Sequence, residues 1–251
     1  VDNHKDVSIE VRGLVKSYRG SGEDALKGVD LLVRKGEFFG LLGPNAAGKT
    51  TMISIMCGLL SITRGDVYVS GIDIKKRPGA VRSLIGLVPQ DIALYPALTI
   101  RENIEFFARM HGLEGKSLKE NAGRALDTLQ LGQHAGKKVA ACSGGIKRRA
   151  NLVAGMIHSP GLVFLDEPTV GVDVQSRNLI FEYVRELNAG GTTIIYTTHY
   201  MEEAEDLCSR VVIIDDGGVV CDGVPAALIA EKGCRDLGEL FLSLTGKQLR
   251  E

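Results

Sequence analysis

The sequence predicts an α/β fold with a mostly parallel core sheet, an antiparallel β edge and a helical subdomain. Three observations carry the prediction. Apolar, strand-like runs alternate with amphipathic helical stretches before and after the middle of the chain. A glycine-rich segment, Gly43-Pro44-Asn45-Ala46-Ala47-Gly48-Lys49-Thr50-Thr51, follows the apolar run Phe38–Leu42 and precedes the amphipathic run Met52–Leu60, which reads as strand, tight loop and helix. From Thr99 to Gly161 almost everything reads as helix, so an all-helical block interrupts the alternation.

In chain order, Val7-Ser8-Ile9-Glu10-Val11 alternates as a strand, and Lys16–Gly20 enters a polar turn. Leu26–Arg34 is a second strand, with Arg34–Glu37 as a hairpin turn before the strand that feeds the glycine-rich loop. In the helix after that loop, Met52, Ile55, Met56 and Leu59 share one face, and Gly58 interrupts it near its end. Gly65-Asp66 opens a strand that ends near Gly71–Ile74, and Ile85–Gln90 is a short buried strand. Within the helical block, Ile104, Phe107, Ala108 and His111 share one face, and Leu118, Ala122, Ala125 and Leu129 share the next; His111 reads as a packed histidine. Leu162-Val163-Phe164-Leu165 is the continuous apolar run of a strand buried on both faces. Leu179, Tyr183 and Leu187 mark a helix, Thr192–Thr197 a strand, Met201–Leu207 a helix and Val211–Ile214 a strand. Val219–Cys221 pairs back after the turn at Asp215–Gly218.

Composition bounds the function. At 251 residues the chain makes one large domain or two small ones, and it reads as a single domain over 1–251, with a core of 1–90 and 160–251 and helices over about 91–159. Lys and Arg number 30 against 31 Asp and Glu, so no basic excess advertises a nucleic-acid surface and no nucleic-acid partner is expected. No apolar run is long enough to span a bilayer, and no secretory signal is recognisable at the start. Cys57, Cys142, Cys208, Cys221 and Cys234 are widely spaced and form no C-x-x-C pair; they read as buried thiols in a reducing compartment.

The chemistry starts at Gly43–Thr51, which fits the phosphate-binding pattern G-x-x-x-x-G-K-[ST]. A glycine-rich loop turns backbone N–H groups inward around an anion, and the following helix adds its unpaired amides and positive dipole end. Lys49 brings a cation to the β- and γ-phosphates, and the Thr50 hydroxyl suits Mg²⁺, which prefers oxygen ligands. Ala46 stands where many such loops have a second glycine; if that site needs positive φ, alanine costs about 1 kcal/mol there, and glycine should raise affinity. Asp166 and Glu167 end an apolar strand, where open α/β sheets bind ligands. Asp166 suits Mg²⁺ or its water, and Glu167 suits polarising an attacking water. Further on than the loop and before these acids, Cys142-Ser143-Gly144-Gly145 opens another helix, with Ser143 as its N-cap candidate and two glycines exposing amides to an anion.

Together these segments resemble an ATP-binding-cassette (ABC) ATPase, the nucleotide-binding subunit of an ABC transporter with a P-loop NTPase fold. The resemblance runs from about Val7 to Leu228 and rests on the phosphate loop, Ser143-Gly144-Gly145 and Leu165-Asp166-Glu167-Pro168-Thr169 in the family's order. It implies that Tyr18 stacks on adenine, that Gln90 reaches Mg²⁺ and the attacking water, that Gly171-Val172-Asp173 crosses to a partner subunit, and that His199 is the switch histidine near the γ-phosphate. Cys142 departs from the family's leucine, a side chain expected to pack. The resemblance further implies ATP and Mg²⁺ as cofactors and a head-to-tail dimer, expected to be a homodimer, with ATP between one chain's phosphate loop and the other's Ser143–Gly145. It also implies a separate membrane permease, placing the chain in the cytoplasm on the inner face of the membrane. The stretch Pro89–Gly112, with Leu94-Tyr95-Pro96 and Ile104–Arg109, resembles the bacterial export branch. The rival readings are a soluble cassette ATPase such as one for iron–sulfur assembly, a P-loop kinase or GTPase, and an inactive regulatory module. A GTPase lacks its N-K-x-D segment here, a kinase leaves Ser143–Gly145 unexplained, and every polar catalytic position is filled.

Overall fold

A computed structural model describes residues 6–20 and 22–246; the outermost residues of the expected 1–251 domain lie outside them. The strands are β1 (Val7–Ser17), β2 (Asp24–Arg34), β3 (Phe38–Leu42), β4 (Arg64–Val69), β5 (Ile72–Asp73), β6 (Ile85–Val88), β7 (Leu162–Asp166), β8 (Thr193–Thr198), β9 (Arg210–Asp215) and β10 (Gly218–Gly223). The helices are α1 (Lys49–Met56), α2 (Pro78–Leu84), α3 (Ile100–Met110), α4 (Gly115–Thr128), α5 (Gly144–Met156), α6 (Val174–Ala189), α7 (Met201–Leu207), α8 (Pro225–Lys232) and α9 (Leu237–Thr245).

The core is a six-stranded sheet in the order β10-β9-β3-β8-β7-β6. All its neighbours pair in parallel except β9 and β10, a hairpin turned by Asp216 and Gly217, both at positive φ. The strands β3, β7 and β8 are buried at every residue, as strands covered on both faces must be. The early strands β2-β1-β4-β5 form their own four-stranded antiparallel sheet rather than an edge of the parallel one. Arg34–Glu37 is accordingly a turn between two sheets and not a hairpin, since β3 pairs with β8 and β9. The single strand expected from Gly65 to Ile74 is instead the hairpin β4–β5, because Ser70 and Gly71 both take positive φ and reverse the chain.

Other local departures have equally local causes. β1 continues through Lys16 and Ser17 where a turn was expected, because Lys16 and Ser17 still pair with Leu26 and Asp24. Helix α1 stops at Met56, with Gly58 at φ 69, so Leu59 falls past its end and is 59% exposed instead of joining the buried face. Along α6 the fully buried residues are Ile180 and Val184, while Leu179, Tyr183 and Leu187 flank them half-buried. His111 is exposed and lies flat against His158, ring centroids 3.6 Å apart, rather than packed in a core.

The helical block α3–α5 leaves the sheet after β6 and returns at β7, the neighbouring strand. Thr99 opens α3 with a capping box closed by Glu102. One apolar cluster runs from Ile104, Leu118 and Leu126 of this block through Val153 to Val163, Ile194 and Val211 of the sheet. A second fills the space between the two sheets, from Ile9 and Val33 to Phe39, Met52 and Phe164. All five cysteines are free, with Cys57, Cys142 and Cys208 buried.

Candidate active site

Parallel pairing brings the chemistry to one edge. Leu42 is opposite Thr198 and Asp166 opposite Thr197, so the segments after β3, β7 and β8 all emerge at the carboxyl ends of adjacent strands. The phosphate loop follows β3. Asn45 and Ala46 are exposed at its tip, and Ala46 has φ 64, the left-handed conformation that its sequence position suggested. The turn is closed by Ala47 N donating to the Pro44 carbonyl at 3.2 Å. Gly48 is the N-cap of α1 at φ 106 and makes no side-chain cap, which leaves the first amides of α1, those of Lys49, Thr50 and Thr51, to a ligand. Gly43 is required for another reason: a Cβ there would lie 2.3 Å from the Ile214 carbonyl oxygen.

Lys49 is buried, and its ammonium donates to the carbonyls of Gly43 at 2.6 Å and Pro44 at 3.0 Å. Burial lowers its pKa, opposed by the charges of Glu167 and Asp166. Asp166 is buried as well; burial raises its pKa, and a 2.6 Å hydrogen bond from the Thr197 hydroxyl is the chief opposing effect. The Thr50 hydroxyl adds a smaller effect that lowers the Asp166 pKa. Tyr18 is exposed beside α1, its hydroxyl 3.1 Å from that of Thr51, with the Lys16 ammonium 5.2 Å from its ring centre.

Glu167 sits at φ 47, an unusual conformation for glutamate. Its N–H donates to the Thr197 hydroxyl at 2.9 Å and the Thr197 carbonyl at 3.2 Å. Its carboxylate is met from two other segments: Gln90 Nε2 donates to Oε2 at 3.2 Å, and His199 Nδ1 lies 3.2 Å from the same oxygen. Lys49, Asp166, Glu167, Gln90 and His199 therefore converge.

Ser143, Gly144 and Gly145 do not join them. They open α5, where Ser143 occupies the N-cap position, but its hydroxyl makes no capping bond and is exposed. Gly145 packs so tightly on α6 that a Cβ would lie 2.3 Å from Ser176 Oγ and 2.6 Å from Asp173 Oδ2, and a Cβ on Gly144 would meet only the Gly171 carbonyl. Asp173 is itself engaged as the N-cap of α6, accepting from Ser176 N and Oγ at 2.9 Å each, bonds that lower its pKa. Cys142 is buried in the apolar cluster, as its replaced leucine would be.

Three residues not singled out in the sequence support this site. Arg148 is buried and donates to the carbonyls of Gln90 at 2.6 Å and Pro89 at 3.3 Å. Asn151, one turn along α5, accepts from Ala93 N at 2.9 Å. The pair is spaced i, i+3 and so faces the Gln90 segment together, a signal present in the sequence. Glu203 is buried and accepts from the hydroxyl of Thr198, next to His199, and its place four residues before Leu207 on the inward face of α7 was the available clue.

A glycine-rich loop with its lysine, set against an Asp-Glu pair at one end of a parallel sheet, defines the nucleoside-triphosphate-binding P-loop proteins. Comparison with known proteins narrows the class. The family model described as "ABC transporter" matches residues 26–170, more than half the chain. The linearmycin resistance ATP-binding protein LnrL of Bacillus subtilis is 42% identical over 243 residues, 97% of this chain and 76% of the relative. A Nod factor export ATP-binding protein I of Paraburkholderia xenovorans is 40% identical, over 94% of this chain and 77% of that one. Among solved structures, an ATP-binding subunit of an ABC transporter superposes with a TM-score of 0.86 at 28% identity, covering 94% of this chain and 98% of its own. A dimeric ATP-binding cassette in a post-hydrolysis state with ADP and Pi superposes with a TM-score of 0.79 at 28% identity, over 86% of this chain and 98% of its own. The chain belongs to the ABC transporter family, as an ATP-binding subunit that binds and hydrolyses ATP.

The donor set also fits Mg²⁺. Thr50, Asp166 and Gln90 offer only hard oxygen ligands, and among the described residues no group of three or more His, Cys, Asp or Glu forms a cage. One carboxylate with a hydroxyl suits an ion that keeps its waters and takes substrate phosphates.

Proposed function

We propose that the chain is one half of a head-to-tail homodimer of cassettes that closes around two ATP molecules and drives a separate permease, in the direction of export. The observation that carries this reading is the division of the site. Ser143, Gly144 and Gly145 present an exposed hydroxyl and an uncapped helix start, packed on Gly171–Ser176. A second chain turned head to tail would bring this surface to the first chain's ATP.

The residues then take these roles. Tyr18 stacks on adenine, and Gly43 to Thr51 cradle the phosphates, with Lys49 turning from the Gly43 and Pro44 carbonyls toward them. Thr50, Asp166 and Gln90 would hold Mg²⁺, which would supply positive charge to offset the negative charge developing on the phosphates. Glu167 takes a proton from the attacking water: Gln90 and His199 occupy its Oε2, leaving Oε1 to accept. His199 faces the γ-phosphate, and Ser143 of the other chain closes the site.

Gln90 begins a segment held on α5 by Arg148 and Asn151, so its movement carries into the helical block. A groove there is lined by Leu87, Pro89, Ala93, Phe107 and Asn151 together with exposed Leu59, a surface suited to an apolar segment of the permease. No helix among the described residues is long and apolar enough to cross a membrane, in keeping with a cytoplasmic subunit held at the inner face through that partner. Export follows the relatives named for resistance and Nod factor export. The apolar cluster shared by block and sheet supports one ABC ATPase domain over 1–251, with core 1–90 and 160–251 and a helical subdomain over about 91–159. The test is Glu167→Gln. ATP binding should persist, turnover should nearly vanish, and ATP should trap a dimer on a sizing column. A fully active variant refutes the assignment.

A further inference from the structure

Glu203 is 4% exposed, and among the described residues no basic side chain bonds its carboxylate. Three hydroxyls converge on one oxygen, Oε2: Thr169 Oγ1 at 2.9 Å, Tyr196 at 2.8 Å and Thr198 Oγ1 at 3.0 Å. Its other oxygen, Oε1, is buried without a partner among the described residues. A buried carboxylate is costly, and hydrogen bonds to a charged acceptor are the means of tolerating it. A leucine would fill the same space on the inward face of α7 without that cost, so packing does not account for the acid.

What the three hydroxyls hold does account for it. Thr169 lies two residues after Glu167. Glu167 at φ 47 is strained, and such conformations persist only where their surroundings over-determine them. Thr197 pins Glu167 from its N–H, and Thr169 pins the chain just beyond it. Thr198 immediately precedes His199, and its hydroxyl also accepts from Tyr200 N at 2.9 Å, so the backbone turn around the histidine is clamped on both sides. One buried oxygen thus ties together the two segments whose side chains meet at the 3.2 Å contact between Glu167 and His199.

We propose that Glu203 is a positioning residue for ATP hydrolysis, holding the segment of Glu167 in register with the segment of His199 through Thr169 and Thr198. The inference rests on the assignment of Glu167 and His199 to the hydrolytic step. Tyr196 supplies the internal control: it reaches the same oxygen from farther back along β8, two residues before Thr198 and three before His199.

The experiment is steady-state ATPase kinetics with melting temperatures on the full chain. Thr169→Val and Thr198→Val keep shape and delete one arm each; they should lower kcat about tenfold or more with the KM for ATP little changed, as expected when transition-state geometry alone is lost. Thr169→Ser and Thr198→Ser should restore most of the rate, and Tyr196→Phe should retain it even if it melts as early as the valine variants. Glu203→Gln, which keeps the volume and one acceptor oxygen, should fall between wild type and the valine variants. Wild-type kcat in both valine variants, serine variants no faster than valine ones, or a Tyr196→Phe loss equal to theirs would overturn the proposal. A Glu167→Gln control separates the two failures. If it is inactive while the valine variants are normal, only the role of Glu203 falls; if it is fully active, the hydrolytic assignment itself falls.

Discussion

Ala46→Gly tests whether the phosphate loop carries strain. Ala46 is at φ 64 with an exposed side chain, so its methyl group contributes little packing and the change acts on the backbone alone. The left-handed conformation costs an L-residue about 1–2 kcal/mol, which glycine escapes. Against this, glycine loses about 0.5–1 kcal/mol more backbone entropy on folding. The difference favours the variant by about 0.5–1 kcal/mol, or about 2 °C in melting temperature for a chain of this size. Urea unfolding should show a higher midpoint at unchanged slope, because no surface is exposed or covered. Any strain imposed only in the phosphate-bound loop would appear as tighter ATP binding by the glycine variant, bounded at about fivefold by the same free energy. Ala46→Val gives the opposite sign, since a β-branched residue tolerates positive φ least. A glycine variant less stable than wild type, together with a valine variant equal to it, would refute the claim that position 46 demands a left-handed backbone.

Lys49→Ala should weaken ATP binding by about 10- to 100-fold, the worth of a charge-assisted hydrogen bond to phosphate, and an unchanged Kd in a titration would contradict the phosphate-loop reading. Ser143→Arg should leave the ATP affinity of the isolated chain within about twofold while hydrolysis is lost, since crowding acts across the dimer. A loss of affinity as large as that of Lys49→Ala would instead place Ser143 at its own chain's nucleotide. Gly43→Ala, whose Cβ would meet the Ile214 carbonyl at 2.3 Å, should lower the unfolding free energy by about 1–3 kcal/mol, read from the urea midpoint.

Much of this site was legible because its chemistry is local in the chain. The phosphate loop declares itself through glycine spacing and the strand and helix around it, and Asp166-Glu167 through the apolar run before them. The resemblance supplied the roles expected of Gln90 and His199, whose contacts with Glu167 span 77 and 32 positions. One misread element has a cause far along the chain. Whether Arg34–Glu37 makes a hairpin or changes sheets is decided by which strand covers β3, and β8 and β9 come some 150 residues later. The β4–β5 reversal is different, since the Ser70-Gly71 pair that makes it is a local turn signal. The buried supports were the least visible. Arg148 and Glu203 resemble ordinary surface charges until the segments they hold have been brought together.

The placement of costly groups argues that this edge is built at the expense of stability. Lys49, Asp166, Glu167 and Glu203 are all buried there, with Arg148 just behind the Gln90 segment. The only other buried charged residues recorded among the described ones are Lys16, whose ammonium reaches the Ser61 carbonyl, and Arg149, which reaches that of Leu129. Burial weakens water's screening, so a lysine facing phosphate and a carboxylate facing water act more strongly than at a surface. The same burial pushes the Lys49 pKa down and the Asp166 pKa up, each against the charge its role requires. Opposite neighbours work against those shifts, Lys49 for Asp166 and the two acids for Lys49, so the groups depend on one another. Fixing them falls to neutral partners that carry no charge into the cluster: the Thr197 hydroxyl on Asp166, the Gln90 amide on Glu167 and the hydroxyls on Glu203. These hold positions without adding to the charge balance that an arriving triphosphate must meet.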